Sequence, residues 1–422
     1  MSASDTPAAA ERRPADWVIV LALGLLMGLQ PITTDLYVPA MPQMQLALST
    51  TPSGAQQTLA VLVLSFGFGQ LVWGPVADRL GRRPVLISGL SLFVLASLMT
   101  VLASDLSVML LARAAQGACL SAAVVCGRAM VRDLYVPADG ARMMARGLTG
   151  LGVIALSGPI LGGLAAAYLG WRSTLAIVGA AGLLTLLFIL TQLPESLPSH
   201  RRQARTSMRS MMSDWRAISR HPTFRAHAML VSSSYGGLYV YLSCSSFVFI
   251  NVMGSSRQAF GGYMASISLA YLIGVAICRR LLPHHGLVGT VRVAGMAAAG
   301  SAAWLILMSV LAATTPFQPS AIWLLPGMWL YGCCHGINQP CGQTGVIAAF
   351  PRNAGAASAL SGFLLSVMAF VIGGLLGLAM KHHDWAQTVY PLTLGMAAGA
   401  LMTTWVALGP VQRNGMPAHT AH

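Results

Sequence analysis

Twelve separate stretches of this chain are apolar for about 20 residues or more, the length an α-helix needs to cross roughly 30 Å of hydrocarbon. They cover residues 16–41, 53–77, 84–103, 106–131, 141–168, 171–193, 223–250, 259–280, 288–312, 320–349, 355–380 and 387–409. Inside a bilayer every backbone polar group must be bonded within the protein, so such runs become helices, and their internal glycines and prolines are tolerated where neighbouring helices take up the freed groups. With 55% hydrophobic and only 9% charged residues, the composition is that of a polytopic membrane protein and excludes a soluble domain. The predicted fold class is therefore all-α, with 12 transmembrane helices in two six-helix bundles. The first run is too long for a cleavable signal peptide, and no small-residue cleavage site follows it.

Charge gives the expected orientation. Lys and Arg in short loops stay on the cytoplasmic side. With a cytoplasmic N-terminus, Arg172, Arg257 and Lys381 fall on the other side, Arg113 and Arg128 fall inside the fourth span, and the remaining 20 of the 25 basic residues fall inside the cell. The net charge of +14 thus reads as topology, and no nucleic-acid partner is needed to explain it. The expected organisation is a cytoplasmic tail (1–15), a six-helix bundle (16–193), a basic cytoplasmic linker (194–222), a second bundle (223–409) and a cytoplasmic tail (410–422) in a membrane-embedded chain. The linker reads as a solvated tether near anionic head groups. All seven cysteines lie within spans, where free thiols serve as small packing residues.

One loop departs from this apolar background. GPVADRLGRRP, Gly74–Pro84, holds four charges in eleven residues between the second and third spans. Gly74 and Gly81 permit a tight turn and close helix approach. Asp78 can bond the exposed amides of a neighbouring helix N-terminus, while Arg79, Arg82 and Arg83 offer cations to carboxylates or helix-end carbonyls. A cluster of this kind is expected to latch the cytoplasmic face. The spacing G-x-x-A-D-R-x-G-R-R-P resembles the signature loop of the major facilitator superfamily. Arg113, Gln116 and Gly117 form an R-x-x-Q-G pattern in the fourth span, and GPILGG at Gly158–Gly163 in the fifth is similar to the antiporter motif of that superfamily. Pro159 removes a helical hydrogen bond, and Gly158, Gly162 and Gly163 let helices cross closely. Together with TTDLYVPAMP, GRAMVRDLY, LPESL and AGAASALSG, these patterns resemble the Bcr/CflA drug:proton antiporters over nearly the whole chain. Two departures stand out: RRLLPHHG at 279–286 lacks the aspartate of the first-half loop, and Val76 stands where leucine is usual.

Of the eleven acids, only Asp35 lies well inside a predicted span. A carboxylate there costs about 2.5–3.5 kcal/mol on insertion scales, so its retention needs a reason. Arg113 is the expected partner, because spans one and four bring both charges into the outer half of the membrane. Burial favours the neutral acid and a nearby guanidinium the ionised one, so motion that changes their separation would load or release a proton. A static buried ion pair is the other reading. Some relatives carry a second carboxylate about two turns earlier, where this chain has Met27, which leaves Asp35 alone as proton site.

Other membrane polar groups are candidates for a substrate cavity: Tyr37, Gln70, Tyr235, Tyr239, His335, Asn338 and Gln339, with Phe363 and Phe370 as apolar walls. For each, ordinary helix-packing polarity is an equal explanation. Arg128 either snorkels to the interface or joins Arg132 and Asp133 in the cytoplasmic latch. His335, Cys334 and Cys341 share no ligand spacing, so no metal is expected, and no cofactor beyond a coupling proton. There is no H-E-x-x-H, G-x-S-x-G or Walker pattern, which argues against an enzyme and against ATP-driven transport. The resemblance implies export of amphipathic, drug-like small molecules, chloramphenicol-like, bicyclomycin-like or cationic, in exchange for protons. A proton-coupled carrier of a native metabolite, working by uptake, fits the same residues.

Overall fold

The computed structural model describes residues 14–198, 202, 208–350, 353–380 and 387–416. Arg12, Arg13, Arg201, Arg205, Arg352 and Lys381 of the charge argument lie outside the described residues. The described residues hold helices and no β-strand. In chain order the long helices are α1 (Asp16–Asp35), α2 (Pro52–Leu80), α3 (Arg82–Leu102), α4 (Leu106–Leu134), α5 (Pro137–Tyr168), α6 (Trp171–Gln192) and α7 (Pro222–Ser246). The apolar stretch Arg257–Thr314 is two helices, α8 and α9, that meet at Gly286, whose φ of 61° breaks the helical geometry. α10 (Ala321–Ala348), α11 (Ala354–Ala379) and α12 (Tyr390–Leu408) complete the set.

Local signals account for the helix starts. Pro52, Pro137 and Pro222 stand in the first turn, where a missing N–H costs nothing. Thr51, Asp105 and Ser256 accept a backbone N–H three residues on and so cap α2, α4 and α8. α1 stops earlier than the apolar run suggests. Pro39 has no N–H to give the Asp35 carbonyl, so the helix ends there. The chain continues as a single tight turn, Val38–Ala40, and a short helix, Met41–Ala47.

Helices α1–α6 pack among themselves through the α2–α4, α3–α4, α1–α5 and α3–α6 pairs, and α7–α12 through α8–α10, α9–α12, α7–α12 and α7–α11. The two sets meet along two seams, α2 against α11 and α5 against α8. α7 is the most buried of the candidate spans, with 78% of its apolar window covered. Leu92, Leu95, Leu98, Leu111, Leu375 and Leu378 remain exposed on the rim, as expected where lipid replaces water.

Two segments read from sequence as free are packed. The linker contains a helix, Met208–Arg220, whose buried Ile218 and half-buried Trp215 rest on Phe224, Phe350, Ala357 and Leu360. After α12 the chain turns back as a short helix, Pro410–Asn414, with Val411 fully buried.

Candidate functional site

Most of the charge of the 74–84 loop is tied down at one end of the bundle, here termed the basic end. α2 runs straight through Gly74, which has no neighbour within 4 Å of where a Cβ would stand, so Gly74 makes neither the turn nor a close contact. The chain reverses at Gly81, whose φ of 103° is open to glycine alone and whose missing Cβ leaves room for the Glu195 carboxylate. Arg82, 5% exposed, donates from Nη1 to Asp78 at 2.6 Å and from Nε to Asp133 at 2.8 Å, joining α2, α3 and α4. Asp78 does not bond helix amides as expected, because it is occupied by Arg82. Glu195, from the loop after α6, takes that place: Oε1 accepts from the Arg82 and Leu197 amides at 2.9 Å and Oε2 from the Arg83 amide at 3.2 Å. Arg83 reaches the end of α6, donating to the carbonyls of Leu193 at 2.7 Å and Leu190 at 2.9 Å. Arg79 stays exposed.

Arg128 and Arg132 belong to a different contact. Arg128 Nη1 donates to Ser358 Oγ at 3.2 Å, and the Arg132 guanidinium lies against Gly355, so both reach across to the first turns of α11. Only Asp133 of that trio joins the acid–arginine network.

Toward the opposite end, the expected Asp35–Arg113 ion pair is not formed. Asp35 is half-buried at the last residue of α1 and accepts a hydrogen bond from Thr34 at 2.7 Å. Its carboxyl lies within electrostatic range of Tyr235 and Tyr241 on α7. Arg113, fully buried, has its guanidinium carbon 3.9 Å from the centre of the Tyr37 ring and donates to Gln116 at 2.9 Å and to the Thr33 carbonyl at 3.5 Å. The reason is geometric: α1 ends at Asp35, and the turn that follows sets Tyr37, not the carboxylate, over the guanidinium. Tyr37 is therefore the partner of Arg113 and does not line a cavity; its hydroxyl bonds Thr58 at 2.8 Å.

Between the halves lies a cavity of about 20 Å³ lined by Gln30, Thr34, Leu62, Val63, Phe66, Leu120, Tyr235 and Leu365. Of the expected cavity residues only Tyr235 is among them. Gln70 is buried against Gly362 on the α2–α11 seam, and Tyr239 meets the same seam near Gly373. His335 Nδ1 bonds Ser234 Oγ at 2.9 Å inside the second half. Asn338 is fully buried with neither amide atom bonded, while Gln339 is half-buried. Phe363 stacks edge-on against the exposed Phe68 at 4.8 Å, and Phe370, 40% exposed, shares an outward face with Val371, Gly374 and Leu375, so neither is a cavity wall. The seven cysteines are free, with the Cys278 and Cys341 sulfurs 3.5 Å apart.

The second seam is made by Gly162 and Gly163 of the GPILGG segment, whereas Gly158, expected to join them, has no neighbour within 4 Å of where a Cβ would stand and makes no close crossing. A Cβ on Gly162 would collide with the Leu36 carbonyl of the α1 end, one on Gly163 would come 2.6 Å from the Arg257 carbonyl of α8, and one on Gly261 would come 2.7 Å from the Pro159 carbonyl. α5 and α8 thus cross backbone to backbone, which only glycine allows.

A helical bundle in two halves, joined by a glycine crossing and with an arginine–carboxylate corner in the first half, matches one family over most of its length. The Major Facilitator Superfamily profile covers residues 23–374. The chain belongs to this superfamily. It is 30% identical over 380 residues to a chloramphenicol resistance protein of Pseudomonas aeruginosa, covering 89% of this chain and 87% of that one. It is 24% identical over 383 residues to a bicyclomycin resistance protein homolog of Haemophilus influenzae (90% and 94% covered), and 26% identical over 363 residues to multidrug resistance protein D of Escherichia coli (85% and 88% covered). Among solved structures, the nucleoside transporter NupG superposes with a TM-score of 0.66 at 16% identity, covering 93% of this chain and 99% of that one. A bacterial homolog of the lysosomal transporter Spinster, in its inward-facing form, gives 0.67 at 16% identity, covering 96% and 100%. As a major facilitator the chain is a membrane transporter and not an enzyme.

Sequence reasoning missed Glu195, Ser358, Gln30 and Thr34. Glu195 carried a usable signal, being an acid directly after the sixth span and facing an arginine-rich loop. The others are ordinary polar residues in ordinary spans.

Proposed function

We propose that this major facilitator exports amphipathic, drug-like compounds in exchange for protons, with Asp35 as the proton site and the two halves rocking about the α2–α11 and α5–α8 seams. The observation that carries this reading is the state of Asp35: a carboxyl at membrane depth, at the junction of the halves, bonded to a hydroxyl and to no cation. An acid so placed is inexpensive when neutral and costly when ionised, so it gains or loses its proton as its surroundings open to water or close. The resistance phenotypes in the relatives' names support drug-like cargo. The positive-inside distribution supports a cytoplasmic basic end and a cytoplasmic N-terminus in a bacterial inner membrane, the protein acting as a monomer.

Asp35→Asn keeps the shape but cannot titrate. In proteoliposomes it is expected to abolish uphill export of a neutral probe such as chloramphenicol while leaving downhill exchange and detergent-phase folding intact. Uphill, pH-driven transport by the folded Asp35→Asn protein would end this reading. With one titrating acid per cycle, export of a neutral probe moves one positive charge inward and gains about 2.3 kcal/mol per 100 mV, whereas export of a monovalent cation is insensitive to voltage.

A further inference from the structure

We propose that the Tyr37 ring is a second seat for the Arg113 guanidinium, and that by holding the cation away from Asp35 it sets how firmly Asp35 keeps its proton. This deepens the reading above and rests on it.

A fully buried guanidinium needs partners for its charge and its five N–H groups. Here one edge is served by Gln116 and the Thr33 carbonyl, one face by Tyr37, and Nε and Nη2 have no hydrogen-bond partner. No ion pair forms between Arg113 and a described carboxylate. A cation held on one face with two donors open is incompletely satisfied where it sits.

The ring is a fixed seat. Tyr37 is fully buried, its hydroxyl is bonded to Thr58 at 2.8 Å, and Thr58 is itself bonded to the Ala55 carbonyl at 2.6 Å. Gln116, the other anchor, is held by donation to Ser97 at 2.8 Å. Asp35 and Tyr37 are two residues apart on the turn that Pro39 forces, so the two places open to the guanidinium sit on one short piece of backbone. A cation gains less over a desolvated aromatic face than on a buried ionised carboxylate, so the charge state of Asp35 decides between the two seats. The neutral acid leaves Arg113 on the ring. The ionised acid draws it over, is stabilised in turn, and gives up its proton more readily.

The groups facing this pair are few. α1 contributes Thr33 and Thr34, α2 contributes Thr58, α3 contributes Ser97 through Gln116, and α7 sets Tyr235 and Tyr241 toward Asp35. Asp35 and Arg113 share no hydrogen bond or ion pair in this arrangement: Thr34 bonds the carboxyl, while Tyr37, Gln116 and the Thr33 carbonyl hold the guanidinium. Tyr37 is thus a positioning residue that acts through Arg113.

The test is an infrared titration of the purified, full-length protein, following the protonated-carboxyl band that Asp35→Asn removes. Tyr37→Leu, which has no ring, is expected to move the midpoint of that band to lower pH by about one unit, a tenfold change. Tyr37→Phe keeps the ring and is expected to keep the wild-type midpoint. An unshifted Tyr37→Leu, or a Tyr37→Phe shifted as far as Tyr37→Leu, overturns the proposal while leaving Asp35 as the proton site. If no band disappears in Asp35→Asn, the proton-site reading itself falls and takes this one with it. Should Tyr37→Leu not fold, isotope-labelled arginine in the wild type decides. One guanidinium resonance displaced by an aromatic ring current at acid pH, and relaxing above the midpoint, is expected; a displacement constant with pH overturns the proposal.

Discussion

The two halves turn the same corner by different chemistry. In the first half, α2 meets α3 at Gly81, and the corner is clamped by a buried arginine between two aspartates and by a glutamate over the first amides of α3. In the second half, α8 meets α9 at Gly286, again with positive φ, but the clamp is neutral. Thr290 bonds the Gly286 carbonyl at 2.7 Å, Gln412 from the returning C-terminal segment bonds the Val288 carbonyl at 3.2 Å and accepts from Arg292, and His227 bonds the Gly415 carbonyl at 2.9 Å. Arg279, Arg280, His284 and His285 are exposed. The backbone solution is shared while the electrostatic one is not. The first corner is thus held by ionisable groups, and the second by hydroxyl, amide and imidazole contacts to backbone carbonyls.

Four tests press on that contrast, most of them paired with a control, taken from the largest effect down. Arg82→Ala leaves Asp78 and Asp133 without their cation. Removing one partner from a buried network of this kind costs about 3 kcal/mol, the lower end of the range because Asp78 is 39% exposed. Arg280→Ala at the second corner is expected to change stability by less than about 0.5 kcal/mol. Equal losses of thermal stability in the two variants, measured in detergent, would break the comparison. Gly81→Ala comes next at about 2 kcal/mol, since it adds a backbone penalty to displacement of Glu195. Gly286→Ala, with no neighbour within 4 Å of its Cβ, carries the backbone penalty alone, about 1 kcal/mol.

Gln412→Ala tests the neutral clamp directly. It removes bonds to two carbonyls and is expected to cost about 1 kcal/mol or less, with turnover unchanged if this corner is passive. A transport defect as large as that of Arg82→Ala would make the second corner an active latch. The smallest effect is at the opposite end. Asp105 caps α4 through the Val108 amide, and that bond holds its carboxyl below the usual range. A lowered folded-state value means a contribution that is full at neutral pH and lost as pH falls through the lowered value. Asp105→Asn should abolish that acid-side dependence, read as melting temperature against pH. Ser320, in the matching place before α10, makes no capping bond, and Ser320→Ala should be silent.

The fold was legible because hydrocarbon leaves a chain few choices: long apolar runs must be helices, and GPILGG could only mean close crossing. Boundaries within the runs were less so. Asp35 falls at a helix end because of Pro39 four residues on, a local rule that the apolar run conceals. That one displacement turned the Arg113 partner from a carboxylate into the Tyr37 ring. Phe370 falls on an exposed face for another reason. In a helix apolar all round, sequence carries little information on which face meets lipid and which meets protein. Glu195 shows the opposite case, an acid placed directly after a span and beside an arginine-rich loop, where its partners could be read.

The central cavity has a practical consequence. Drug-sized ligands occupy pockets of about 300–1,000 Å³, and the space beside Thr34 and Tyr235 is about 20 Å³. On the proposed mechanism, cargo of that size fits only after the seams part, so part of its contact energy is spent on opening and its measured affinity is lowered accordingly. A screening campaign against this shape would then pass over such cargo and favour compounds that bridge the α2–α11 and α5–α8 seams and hold the halves together. On that mechanism such molecules block the opening step, and this arrangement of the halves is the template for finding them.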